Sequence, residues 1–152
     1  PDPAAAAPAG ALAAALPMLL LSTFVPSIAE DILTRGFPYR AAGIRWHRGA
    51  AFVAASSLLY VLNHLYRLGL GPMEWLMLFA YGLAYAAALW RTGSLWAAVG
   101  LHWGWNLGNA TLAIAMPTST VYTDGGRLLS MAAHLLMLGI VLAISRRRAP
   151  AG

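Results

Sequence analysis

The sequence predicts an all-α fold, a polytopic bundle of about five transmembrane helices. Three observations carry this. Of the 152 residues, 60% are hydrophobic and only 10% are charged, whereas roughly a quarter of a soluble domain is charged. Five stretches approach the run of about 20 apolar residues that a span needs. The ten basic residues are all arginine and gather mainly in the short connections between those stretches, where membrane proteins carry orienting charge. The same figures exclude a disordered chain, which would be poor in apolar residues. There is no cysteine, so disulfide frameworks, thiolate zinc sites and thiol nucleophiles are excluded together.

In chain order, segment A covers about 9–35 and holds Pro17 and Pro26; B covers 50–66, C 73–90, D 95–116 and E 128–145. Several are rich in Ala and Gly, whose small side chains let helices approach closely in lipid. The alternation of a membrane β-barrel is absent, and there is no internal repeat. Residues 1–8 read as a Pro/Ala-rich tail without a signal-peptide pattern, 9–148 as one transmembrane domain and 149–152 as a second tail. Arg40, Arg45 and Arg48 lie between A and B, Arg91 between C and D, and Arg146, Arg147 and Arg148 after E. If all five segments span, these groups share one side, which the positive-inside rule makes cytoplasmic. The other side receives Asp2, the pair Arg67/Glu74 and the pair Asp124/Arg127, summing to −1. The expectation is an integral protein of a bacterial inner membrane with a cytoplasmic C-terminus. A re-entrant or cleaved segment A is the alternative. Membrane lipid is then the surrounding partner, and nucleic acid is not one, since the net charge of +5 sits in membrane links.

Within the spans the ionisable residues stand out, because each costs about 2.5–3.5 kcal/mol near the bilayer centre. Glu30, Asp31 and Arg35 lie in A, Asn63 and His64 in B, and His102, Asn106 and Asn109 in D. The three charges of A carry a gross cost of about 8–10 kcal/mol at midplane, so they pair near the interface or face a wet cavity. Asp31 and Arg35 are four residues apart and share a helix face, which makes them a structural ion pair. Glu30 is turned by about 100° from Asp31 and is left as the free carboxylate. A hairpin of A and B turning within 43–48 sets Glu30 about 18 Å and His64 about 21 Å from the turn, within one helical turn of the same height. Pro38 argues against a clean extension of A into that hairpin. Tyr60 shares the His64 face. His102, Asn106 and Asn109 form one polar stripe on D. Trp96, Trp103, Trp105, His47 and His134 read as packing or interfacial residues, and Ser56 and Ser57 as aids to helix packing.

A carboxylate, two imidazoles and an amide in one desolvated cavity suit hydrolysis by an activated water. A carboxylate in low dielectric gains basicity and serves as a general base near neutral pH, which is the role of Glu30. His64 holds and polarises the same water. His102 and Asn106 donate to the oxygen that becomes negative when water adds to an amide carbonyl. Glu30 then hands its proton to the leaving amine. No Ser/His/Asp set is evident.

Those residues carry a family resemblance. Glu30-Asp31-x-x-x-Arg35-Gly36 resembles the E-E-x-x-x-R(-G) motif of the CPBP intramembrane proteases, the CAAX-processing and bacteriocin-processing enzymes. Ser56 to Tyr60 followed by His64 resembles their second motif, F-x-x-x-H. The stretch Thr92 to Trp96 followed by His102-x-x-x-Asn106 resembles their third, H-x-x-x-N/D. The three motifs occur in order on three segments over about residues 20–110, with E in the place of the family's closing helix. The resemblance implies an intramembrane protease acting on a membrane-associated peptide or protein, with Glu30, His64, His102 and Asn106 as its catalytic residues. The departures are Asp31 for the second glutamate, Tyr60 for the phenylalanine and Thr34 where an aromatic is common. They bear on pocket shape more than on chemistry.

The expected mechanism needs no cofactor. The alternative, a metalloprotease, would bind zinc through Glu30, His64 and His102. Two further readings compete: an inactive relative serving as a membrane scaffold or binding protein, and a haem anchor with His64 and His102 as axial ligands. The cytoplasmic ends of A, B and D would face a prenylated C-terminus as readily as a leader or sorting peptide, and a bacterial source favours the latter.

Overall fold

A backbone in a bilayer must satisfy its polar groups internally, and these apolar runs do so as helices. The computed structural model describes residues 9–41, 49–116 and 123–143. They form α1 (Ala9–Asp31), a π-helical turn (Ile32–Gly36), α2 (Phe37–Ala41), α3 (Gly49–Asn63), a 3₁₀ segment (Leu65–Leu70), α4 (Pro72–Thr92), α5 (Leu95–Ala115) and α6 (Asp124–Ala143). Both predicted tails, the A–B turn, His47 and the arginines at 45, 48 and 146–148 lie outside the described residues.

Each of the five predicted segments contains a helix. Among the described residues three helices are long and apolar enough to cross a bilayer by themselves: Gly10–Ala41, Pro72–Thr92 and Asp124–Ala143. Helix α3 has only 15 residues, because His64 leaves helical geometry at φ −105° and ψ 33°. Helix α5 has 21 residues and is long enough, but His102, Asn106, Asn109 and its tryptophans dilute its apolar character. Large side chains such as Leu21, Leu129, Leu136 and Ile140 are exposed along α1 and α6, as expected of surfaces facing lipid rather than water. The chain is an integral membrane protein.

Pro38 does not end segment A. Its ring would crowd the Thr34 carbonyl four residues earlier, and it has no N–H to donate there. The helix widens instead, so that the Phe37 N–H reaches Ile32 O, five residues back. Ser56 Oγ from α3 donates to the Thr34 carbonyl at 2.8 Å. Segment A therefore continues helically to Ala41 through a π turn.

Helix α4 is the hub, packed against α3, α5 and α6. Pro72 begins it at the first turn and Gly93 closes it in the left-handed region at φ 69°, its N–H returning to Leu89 O at 2.7 Å. Small residues line its buried face, including Ala80, Gly82, Ala84, Ala87 and Ala88. At Gly82 the approach is backbone to backbone: a Cβ there would meet Ser57 Cα at 2.6 Å. Gly82→Ala should therefore push α3 from α4 and cost about 1–3 kcal/mol. A fall in the melting temperature of the detergent-solubilised protein checks this; an unchanged melt would show that the contact can relax.

Candidate active site

Near the C-terminal end of α1, Glu30 and Asp31 point in different directions, as consecutive helical residues must. Asp31 and Arg35 are both fully buried and form the expected ion pair. The Arg35 guanidinium also donates to Thr34 Oγ1 at 3.1 Å and lies over the rings of Tyr60 and Tyr85, 4.8 and 5.1 Å from their centroids, a cation–π clasp for a desolvated charge. Glu30 takes no part in this. Its Oε1 accepts from Asn63 Nδ2 at 3.1 Å and lies 3.5 Å from His64 Nε2, while its Oε2 lies 3.5 Å from His102 Nε2. One carboxylate from α1 thus faces imidazoles delivered by the end of α3 and the middle of α5.

The second nitrogen of His64 is held from behind, whereas that of His102 lies near a carboxylate without a hydrogen bond. His64 Nδ1 is 2.8 Å from Tyr60 O, and its ring leans on Tyr60 with centroids 4.6 Å apart. His102 Nδ1 lies 3.4 Å from Asp31 Oδ1, and the ring stacks on Tyr85 at 4.8 Å and 22°. Asp31 therefore lies beside both Arg35 and His102. Asn106, one turn beyond His102, donates from Nδ2 to Ser27 Oγ at 3.0 Å, and Ser27 donates to Thr23 O at 2.7 Å. An amide nitrogen has two hydrogens, so the bond to Ser27 orients Asn106 and leaves one hydrogen for the cavity.

Glu30, His64, His102 and Asn106 all line one cavity of about 560 Å³, with Asn109 and Trp105 farther along α5. Tyr66, Arg67, Thr123 and Gly126 also line it. These sit in the α3–α4 connection and at the start of α6. The lining runs from Glu30 toward the α3–α4 connection and the start of α6.

The zinc set of Glu30, His64 and His102 finds no support, because among the described residues no group of three or more His, Cys, Asp or Glu side chains is arranged to hold a metal ion. The bis-histidine haem reading meets a different obstacle. Both Nε2 atoms face oxygens of the same carboxylate, which occupies the place an axially ligated iron would need. His134 acts in packing: it is fully buried, stacks on Tyr81 at 3.5 Å and bonds Tyr85 OH through Nε2 at 2.8 Å.

Three features escaped the sequence reading. Asn63, noted in the sequence only as a polar residue of its span, anchors Glu30. Tyr85 backs both Arg35 and His102, and a tyrosine in an Ala-rich span was the sole hint. Glu74, counted as a link charge, is fully buried and bound by Arg67 and by Arg127, whose Nε donates to Oε2 at 2.8 Å. Arg127 also reaches Asp124 at 3.0 Å.

Comparison with known proteins adds one finding. The family model described as type II CAAX prenyl endopeptidase Rce1-like matches residues 12–108, about two-thirds of the chain, and that stretch contains all four predicted catalytic residues. No curated protein and no solved structure matches the sequence.

Proposed function

We propose that this chain, which belongs to the Rce1-like family of type II CAAX prenyl endopeptidases, hydrolyses a peptide bond inside the membrane with Glu30 as its general base. The observation that carries this reading is the convergence of one partly exposed carboxylate on two imidazoles, at 3.5 Å each, at the inner end of a cavity large enough for an extended peptide.

The reaction needs only groups of the chain and one water. A water entering beside Glu30 gives a proton to the carboxylate as its oxygen bonds to the scissile carbonyl carbon. His64 positions that water, and Asn63 fixes the Glu30 oxygen that does not face His102. The carbonyl oxygen becomes an oxyanion, taking hydrogen bonds from Asn106 Nδ2 and His102 Nε2. Tyr85, stacked on its face at 4.8 Å, holds the His102 ring in place. When the C–N bond breaks, Glu30 returns its proton to the departing nitrogen, leaving a free amine and a carboxylate.

The test is cleavage of a membrane-anchored peptide by the purified chain in lipid nanodiscs with a chelator present throughout. Sustained turnover supports the metal-free reading, and loss restored only by added zinc rejects it. In the same assay Asn106→Ala should remove about 2.7–4 kcal/mol of transition-state stabilisation, a fall of about 10²–10³ in kcat with KM little changed. Turnover within threefold of wild type would take Asn106 out of the oxyanion site.

A further inference from the structure

Charge is unevenly spread along the wall of the cavity. Among the described residues, three formally charged side chains line it: Glu30, Arg67 and Arg127. Glu30 stands with the two imidazoles, and the two arginines stand together, sharing Glu74. Glu74 itself is fully buried and does not line the cavity. Asp124, a further partner of Arg127, is exposed and does not line it either. Two guanidiniums against one buried carboxylate leave the arginine end with a surplus of positive charge.

Helical rise gives the separation of the two charged ends. Glu74 and Tyr85 are 11 residues apart on α4, about 16 Å along its axis. Tyr85 stacks on His102, and Glu74 holds the arginines. The imidazole level and the guanidinium level are therefore separated by that rise. A hydrogen bond at each end takes up about 3 Å. What is left is about 10 Å, the reach of about three extended residues. Asn109, Thr123 and Ser130 add neutral hydrogen-bonding groups to the same wall.

We propose that Arg67 and Arg127 receive the terminal carboxylate of the substrate and so fix which peptide bond lies beside Glu30. The role in cleavage rests on the peptidase reading above; the carboxylate site does not. A guanidinium matches a carboxylate through paired N–H donors, and Arg127 is buried, where such bonds are stronger than in water. A carboxylate lodged at the other end would face Glu30, a like charge. Attraction at one end and repulsion at the other orient the peptide, its C-terminus toward the arginines and its scissile carbonyl toward His102 and Asn106. Glu74 keeps the two guanidiniums side by side and offsets their mutual repulsion.

Paired peptides separate the carboxylate site from the chemistry. One short peptide without charged side chains, carrying a neutral fluorophore at its N-terminus, is made as the free acid and as the C-terminal amide. The whole chain is held in zwitterionic nanodiscs. Binding is read by fluorescence anisotropy with the Glu30→Gln chain, and cleavage with the wild-type chain. The acid should bind about 10–100-fold more tightly than the amide, the worth of a charge-assisted contact. Adding Arg67→Gln should shrink that ratio to within about threefold, and Arg67→Lys should restore part of it by keeping the charge. The ratio compares two ligands on one protein, so a smaller folded fraction leaves it unaltered. Equal binding of acid and amide with Arg67 in place, or a ratio that survives Arg67→Gln, would overturn the proposal. So would an amide carrying a terminal Asp side chain that binds as well as the acid. Anionic phospholipid that copurifies with the chain and is lost with Arg67→Gln, while acid and amide bind alike, would give the pair to a lipid headgroup instead. If the acid outbinds the amide but neither is cut, the carboxylate site stands and the peptidase reading falls.

Discussion

Glu30→Gln should lower turnover by about 10²–10⁴-fold, the range a general base supplies, while the bundle melts where the wild type does. Gln matches Glu in shape, so Asn63 can still donate to the side-chain oxygen that it bonds at 3.1 Å. The loss falls on proton transfer: the amide cannot accept a proton from water or deliver one to the leaving amine. Substrate binding should be nearly unchanged, because Glu30 forms the inner end of the cavity and not its walls. The measurement is kcat and KM in nanodiscs beside a thermal melt. A variant within tenfold of wild type would move the base to His64, the other group beside the same water.

Arg35→Ala has the largest expected effect on stability. Removing one partner of a buried ion pair costs about 3–5 kcal/mol, because the other is left charged and unpaired. Here that partner is Asp31, fully buried and 3.4 Å from His102 Nδ1. The melting temperature should drop markedly, and turnover should fall with the folded fraction. Neutralising both residues, as Asp31→Asn with Arg35→Met, should recover most of the stability. A single Arg35→Ala variant that melts like wild type would show that the pair is incidental to the fold.

The chemistry was more legible in the sequence than the architecture that holds it. Charged and amide side chains inside apolar runs cost so much in lipid that each marks itself, which is why Glu30, His64, His102 and Asn106 could be picked out and why Asp31–Arg35 could be paired by spacing. Helical periodicity then separated Glu30 from the ion pair correctly. The same rule failed at Pro38, where a widened turn replaces a helix end; regular 3.6-residue counting has no term for an inserted residue. Glu74 was misjudged because position in a link does not report burial, and two arginines reaching it from distant parts of the chain cannot be seen along one segment. Support from Asn63 and Tyr85 depends on how α1, α3, α4 and α5 meet.

The limited apolarity of α5 bears on how the protein is made. A helix carrying His102, Asn106 and Asn109 gains little from partitioning into lipid alone, and its retention depends on a companion. The bonds from Trp103 Nε1 to Thr23 Oγ1 and from Asn106 to Ser27, both 3.0 Å, name α1 as that companion, although roughly 80 residues separate the two in synthesis. The first helix must wait in the bilayer with its acidic pair only partly sheltered until the fifth arrives. The polar contacts between α1 and α5 thus lie beside the candidate site, so the same few bonds that hold α5 also shape that site.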